Sequence, residues 1–398
     1  MKLSNQLRTL KLNHNSLFQV GYFLLIFNQV LAQSQFEQMR YPSLLLKAFR
    51  WIITVCFMVF IIKKGIYPYS KRSFFWLGFV ILSILEMICF NGKLLLIILF
   101  LTVISSYKTN LNSLINTHIK ALLAGVIFVS LSSFIGILDI LGEHKEFDNI
   151  TGFLFKQDSI RYSFGFLNSN VIPLIFLFLY LYILMVKKDK YKWYYDIFAL
   201  AWNYIIFLLC GSRMCIVLLF FSVILRLLMS INKAYFVHIF TPGTFFLLGG
   251  CLIFSLILPR SALYGCTLVT IIDRVLTARI TIMRNILVKY PITLFGYGDL
   301  SINSAKEYLT MDNGYIALFV TRGLLIGIVF MCFLLMLIIN SKKTKNPYLL
   351  LLVIIVILAN IVDNSIVHYI TFPLYILSFN GGYKNWYEQQ NFDNCTSV

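Results

Sequence analysis

Residues 349–361 read LLLLVIIVILANI, and residues 171–186 read VIPLIFLFLYLYILMV. Neither stretch carries a charge, and neither alternates apolar with polar residues. A strand of a transmembrane barrel would alternate over segments of about ten residues. A continuous apolar run must satisfy its own backbone inside lipid, and only a helix does so. The rest of the chain repeats the pattern. Of 398 residues, 59% are hydrophobic and 13% charged, whereas a soluble domain covers itself with about 25% charged residues. At roughly 20 apolar residues per crossing, spans fall near 16–32, 44–62, 73–90, 93–107, 119–140, 166–186, 193–210, 213–230, 238–259, 314–340, 347–362 and 365–380. The expected fold is all-α: a polytopic integral membrane protein of about twelve transmembrane helices, forming a single membrane domain over 1–398. The first span ends Val30-Leu31-Ala32, in the manner of a signal-peptide cleavage site. Asn28 and Gln29 interrupt its apolar core, which favours a retained helix.

The net charge of +18 would suit nucleic acid, yet no zinc-finger or phosphate-loop pattern accompanies it. The positions of the charges give a different reason. With the N-terminus in the cytoplasm, the short inner loops hold Lys63, Lys64, Lys71, Arg72, Lys187, Lys188, Lys190, Lys192, Lys342, Lys343 and Lys345. Short loops rich in Lys and poor in acid are what the positive-inside rule requires. The same orientation puts Glu37, Glu143, Glu146, Asp148, Asp158, Asp273, Asp299, Glu307 and Asp312 outside. Both termini, including a short tail over 381–398, then lie in the cytoplasm. Cys56, Cys89, Cys210, Cys215, Cys251 and Cys332 lie in or beside apolar segments and read as small buried hydrophobes. The histidines show no metal-ligand spacing, and no metal site is predicted.

Arginine is sorted differently from lysine. Arg40, Arg50, Arg161, Arg213, Arg260, Arg274, Arg279, Arg284 and Arg322 fall outside or near the outer helix ends, and only Arg8, Arg72 and Arg226 towards the cytoplasm. Topology alone does not separate the two residue types, whereas a permanently charged bidentate fork suits phosphate. The one polar stretch of domain size, 260–313, is read as a large extracytoplasmic loop. Within it, apolar residues at helical spacing from Ile271 to Lys289 predict an amphipathic helix on the membrane surface, ended by Pro291 and followed by a turn at Phe295-Gly296-Tyr297-Gly298.

Several groups could carry chemistry, each with a plainer reading beside it. Ser212 as a helix N-cap with Arg213 behind it forms an anion site, or a capped helix whose arginine reaches the headgroups. Arg274, Arg279 and Arg284 are spaced five apart on the surface helix and cannot all face one ligand, so a solvated basic face competes with a binding role. Asp312, before Asn313 and Gly314, is either an N-cap or a base that takes a proton from a sugar hydroxyl. Arg322, inside an apolar span, and Glu86, inside another, are costly there and therefore conspicuous.

Taken together, Arg161 with Phe164-Gly165-Phe166 and Asn170, Gly211-Ser212-Arg213, Arg279 with Pro291 and Phe295-Gly296-Tyr297-Gly298, and Asp312-Asn313-Gly314-Tyr315 with Gly323 and Gly327 resemble the Wzy-type O-antigen and capsular polysaccharide polymerases of the O-antigen ligase-like superfamily. The motifs cover about 160–330, and the order of spans matches along the whole chain. Met283 stands where members often carry Trp, and Asp312 where the ligases have His, which favours polymerase over ligase. The resemblance implies a GT-C-like, metal-independent and cofactor-free glycosyltransferase in the bacterial cytoplasmic membrane. It would move a growing glycan from undecaprenyl diphosphate onto a lipid-linked repeat unit, alongside a flippase and a chain-length regulator. Arg213 and Arg279 would hold the leaving diphosphate and Asp312 would act as base. Arg161, Ser212, Arg274, Arg284, Asn313 and Arg322 would bind substrate. A lipid-linked oligosaccharide flippase, or a ligase-type glycosyltransferase, is the competing expectation.

Overall fold

A computed structural model of the chain describes residues 14–63, 78–84, 94–106, 109–141, 161–275, 279–298, 313–363 and 368–379. Among the described residues the regular structure is all helical, with two isolated bridges and no strand. In order, the helices are α1 (His14–Leu31), α2 (Arg40–Lys63), α3 (Leu94–Ser105), α4 (Leu111–Phe134), α5 (Val171–Lys187), α6 (Tyr194–Cys210), α7 (Arg213–Ile231), α8 (Lys233–Leu252), α9 (Thr267–Val275), α10 (Arg279–Lys289), α11 (Gly314–Thr321), α12 (Gly323–Lys343), α13 (Pro347–Val362) and α14 (Phe372–Phe379). Residues 78–84 are also helical. Most of the expected 73–90 span, with Glu86, lies outside the described residues, as do Asp312 and the tail.

Residues 349–361 lie in the buried middle of the helix bundle. In α13, nearly every side chain from Leu349 to Ile357 is excluded from solvent, and the helix is packed by α7, α8 and α12. Asn346 starts it, accepting from the amides of Tyr348 and Leu349 through Oδ1, with Pro347 in the first turn where a missing amide hydrogen costs nothing. The peripheral helices have the opposite character, with Phe246 of α8 82% exposed and Phe198 of α6 66% exposed. Apolar surface on this scale is not sustained in water but is what lipid tails require. Five stretches, Arg40–Val59, Leu111–Phe134, Arg213–Ile231, Lys233–Arg260 and Gly323–Lys343, are long and apolar enough to cross a membrane. That is the build of a membrane protein.

One expected span is broken, and two others change helical type along their length. The 314–340 span is divided between α11 and α12 at Arg322 and Gly323, where Gly323 has φ +79°. The backbone groups freed by the break are taken up by residues 293–298. Tyr297 and Gly298 donate to the carbonyls of Val320 (3.0 Å) and Thr321 (2.9 Å), and Leu324 and Leu325 donate to Thr293 (2.9 Å) and Leu294 (3.2 Å). Irregular backbone at membrane depth persists only where protein satisfies it in this way. The 238–259 span passes from α8 into a π turn, Ile253–Ile257, and a 3-10 turn holding Pro259. Among the described residues of the final span, a 3-10 turn, Tyr369–Thr371, leads into α14 at Phe372, with Pro373 in the first turn where proline is tolerated. The Tyr182 hydroxyl of α5 holds that turn by donating to the Ile370 carbonyl (2.5 Å). Beside it His118 of α4 packs edge-on to Tyr182, and its Nδ1 is 3.0 Å from the Tyr22 hydroxyl.

The surface helix is also two helices. Asp273, near the end of α9, turns its carboxylate onto the start of α10. It accepts from the Ile280 amide at 2.6 Å and the Thr281 amide at 3.3 Å, while the Thr281 hydroxyl donates to its second oxygen at 2.5 Å. A carboxylate at a helix N-terminus satisfies orphan amides and opposes the positive end of the dipole. The expected single helix over 271–289 therefore starts afresh at Arg279.

Candidate functional site

The helix connections define two ends of the bundle. At one end the short link between α5 and α6 carries Lys187, Lys190 and Lys192, and Lys233 at the start of α8 reaches the ring of Tyr348 at the start of α13. At the other end lie the start of α7, the start of α11 and the last residues of α13. Arg161, Arg213, Arg260, Arg279 and Arg284 belong to this second end, and Arg226 to the first. Most of the described arginines thus lie at one end of the bundle, together with Lys47 and Lys289, and the lysines of the short loops lie at the other.

Arg161 and Arg213 come together through one glycine. The chain leaves α6 at Cys210, turns through Gly211 at φ +68°, and enters α7 at Arg213. A left-handed turn of this kind is open to glycine and costs other residues roughly 1–2 kcal/mol. The Arg161 side chain lies over the bare Cα: a Cβ there would meet Nε at 3.1 Å and Cδ at 3.5 Å. Tyr162 donates its amide to the Leu209 carbonyl (3.0 Å), which fixes the 161–163 segment against the end of α6. Burial, and after it the charge of Arg213, lower the pKa of the Arg161 guanidinium below its usual value. Arginine remains protonated in proteins regardless, so two positive charges share the entrance to α7.

Ser212 occupies the N-cap position, as expected, but makes no side-chain cap. Its hydroxyl is paired with the Cys215 thiol instead. Cys215 lies in turn within electrostatic reach of Asp363, the residue that ends α13 and donates its amide to the Ala359 carbonyl at 2.9 Å. Asp363 is half-buried and also acts on Tyr369. Its backbone oxygen packs against Gly314, at the start of α11, where a Cβ would stand 2.9 Å away. Asp363 therefore lies between the entrance to α7 and the entrance to α11. Sequence reading did not single it out, because a lone acid after an apolar run looks like the boundary of a span.

The cap of α11 falls to Asn313, one residue after Asp312, which itself lies outside the described residues. Asn313 Oδ1 accepts from the Ile316 amide (3.0 Å), and Nδ2 donates to Ser255 Oγ and the Ile361 carbonyl (3.0 Å each). Its amide is buried and committed to joining α11, the π turn and α13, so no face of it is offered to a substrate in this arrangement. Arg322, at the break, is 6% exposed. Of the three surface arginines, Arg279 is half-buried at the start of α10, and Arg274 is exposed. Arg284 stacks on the Tyr264 ring at 4.1 Å. Tyr264 also meets the Thr281 hydroxyl at 2.8 Å, and Arg260 donates to the Leu287 carbonyl at 2.6 Å. These contacts, with Val269, Ile280, Met283, Ile286 and Leu287 packed on Ile316 and Val320, lay α9 and α10 against α11.

The lysine-rich end holds a second cluster that sequence reading missed. Asp196 of α6 accepts from the hydroxyls of Tyr180 (3.0 Å) and Tyr191 (3.1 Å) and pairs with Arg226 of α7 at 2.5 Å. Burial, then the carboxylate, raise the Tyr191 phenol above its usual value, so it remains a donor. Every acceptor here is used, and the cluster fastens α5, α6 and α7 to one another. Among the described residues, no three of His, Cys, Asp and Glu gather in a way that could hold a metal ion. No family model and no curated protein matches the chain.

Proposed function

We propose that the chain is a polysaccharide polymerase, a polytopic glycosyltransferase of the bacterial cytoplasmic membrane acting at its outer face. The donor is a growing glycan on undecaprenyl diphosphate, and the acceptor is a lipid-linked repeat unit. The acceptor hydroxyl attacks the anomeric carbon, and the bond to the diphosphate breaks with its electron pair passing to the leaving oxygen. Charge building on that oxygen is met by fixed guanidinium donors. The carrying observation is the pair Arg161 and Arg213, joined over Gly211 at the uncapped start of α7. A helix N-terminus and two guanidinium groups on one point suit a diphosphate. In this reading Arg279 supports the pair from α10, and Arg322 stabilises the break behind it. Asn313 and Arg284 shape the site without touching substrate, and Arg274 meets headgroups. The twelve spans, the outer 260–313 loop and the cytoplasmic termini are part of the same proposal.

The test is a deletion strain complemented with single variants. Loss of a polymerase leaves single repeats on lipid or at the surface. Arg213→Lys and Arg161→Lys are each expected to lower the polymerisation rate about 10²–10³-fold, the usual effect of one lost electrostatic donor. Long surface polymer from both variants at normal protein level would remove the pair from the mechanism.

One observation favours a different class. Helices broken within the bundle, as at Arg322 and Gly323, are common in transporters, where half-helices line the path. A flippase for the lipid-linked repeat would use the same arginines to carry the diphosphate. The deletion strain separates the two, because loss of the flippase leaves no repeats outside.

A further inference from the structure

We propose that Gln35 is a positioning residue for Arg161, a role that rests on the polymerase reading above and adds to it what holds that guanidinium in place. Arg161 lies on no helix. It opens an irregular segment, 161–170, and its reach over Gly211 depends on where that backbone is held. Besides the Tyr162 amide on Leu209, the segment is held by residues 139 and 140. Gly165 donates to the Asp139 carbonyl at 3.1 Å, and Ser163 and Phe164 donate to that of Ile140 at 3.0 and 3.2 Å. This support is itself a loop, beyond the end of α4. Gln35, in the 3-10 turn between α1 and α2, grips it with both ends of one side-chain amide. Its Nε2 donates to the Asp139 carbonyl at 3.2 Å, and its Oε1 accepts from the Asp139 amide at 2.7 Å. Its backbone amide donates to the Gly165 carbonyl at 2.9 Å. One residue thus ties together three stretches that are distant in sequence.

The segment it holds is strained. Phe164 has φ +48°, a left-handed conformation that is an outlier for a bulky side chain. Strain of this kind persists only where the surroundings over-determine it. Here the Ile140 carbonyl fixes the Phe164 amide and the Asp139 carbonyl fixes that of Gly165, and Gln35 anchors the 139–140 pair that supplies both. Without the anchor the strained turn is free to relax, and Arg161, three residues away, moves with it. A guanidinium serves a departing diphosphate best when it is already in place, since a fixed donor needs no reorganisation as charge develops. Gln35 acts through Arg161 rather than on the substrate.

The experiment reconstitutes the full-length protein in vesicles with lipid-linked repeats extracted from the deletion strain, and measures kcat and KM for polymerisation. Gln35→Ala is expected to lower kcat about 10–10²-fold, the scale of misplacing a reacting group by about 1 Å, with little change in KM. In an Arg161→Ala background the same substitution should cost less than about 2-fold, because nothing is left to position. Losses that multiply in full would overturn the role, since a general packing defect produces them. Gln35→Glu keeps the acceptor for the Asp139 amide but sets a negative charge against the Asp139 carbonyl. Its rate relative to wild type should rise as pH falls through the carboxylate range, about pH 4–6, where the side chain gains a proton to donate. A ratio indifferent to pH contradicts the proposal, and this measurement decides if Gln35→Ala does not accumulate. Wild-type kinetics from Gln35→Ala would overturn the role of Gln35 alone and leave the polymerase reading standing. No polymer from the wild-type protein would overturn that reading, and the role with it.

Discussion

Gly211 concentrates the account into one residue. Its left-handed turn ends α6, and its missing side chain leaves room for Arg161 beside Arg213. Gly211→Ala is expected to strain the turn by roughly 1–2 kcal/mol and to push Arg161 aside. Gly211→Asn relieves much of the strain, since asparagine tolerates this conformation better, yet keeps the clash. Polymer length should therefore remain short in both variants, while detergent-extracted protein melts closer to wild type for Asn than for Ala. The tripeptide and Arg161 were each visible as motif residues in the sequence. Their meeting was not, because the 161–163 segment is placed by the Tyr162 amide on Leu209, a contact across the chain that no local pattern encodes. Asp363 escaped for a related reason: its neighbours Cys215 and Gly314 belong to helices distant in sequence.

At the scale of elements, apolar runs with clear punctuation were read well and disguised breaks were not. A helix over 347–362 emerges with the expected bounds because Asn346 and Pro347 start it and Asp363 ends it. The 314–340 span hides Gly323 in an apolar run, and the partner that satisfies its break, residues 293–298, is read as an unrelated turn. Gly296 and Gly323 approach so closely that a Cβ on either would overlap the other's backbone. Gly296→Ala should therefore lower thermal stability in detergent and shorten the surface polymer without altering the residues at α7. At the opposite end, Arg226→Met leaves Asp196 buried with an uncompensated charge. Removing one partner of a buried pair costs about 3–5 kcal/mol, so reduced protein level and a lower melting temperature are expected. The Asp196→Asn/Arg226→Met double variant should recover part of that loss.

Across the whole molecule, membrane character was legible from composition because lipid imposes it on every exposed helix face. The gathering of most arginines at one end of the bundle was legible because the lysines of the short loops lie at the other. What the charges imply about sidedness is open to direct chemistry on a native residue. Cys266 is an exposed thiol between α8 and α9, beside the surface helices. In a variant retaining Cys266 as its single cysteine, a membrane-impermeant maleimide applied to intact cells is predicted to label the protein without permeabilisation. Labelling only after the membrane is opened would put the arginine end in the cytosol and contradict the account.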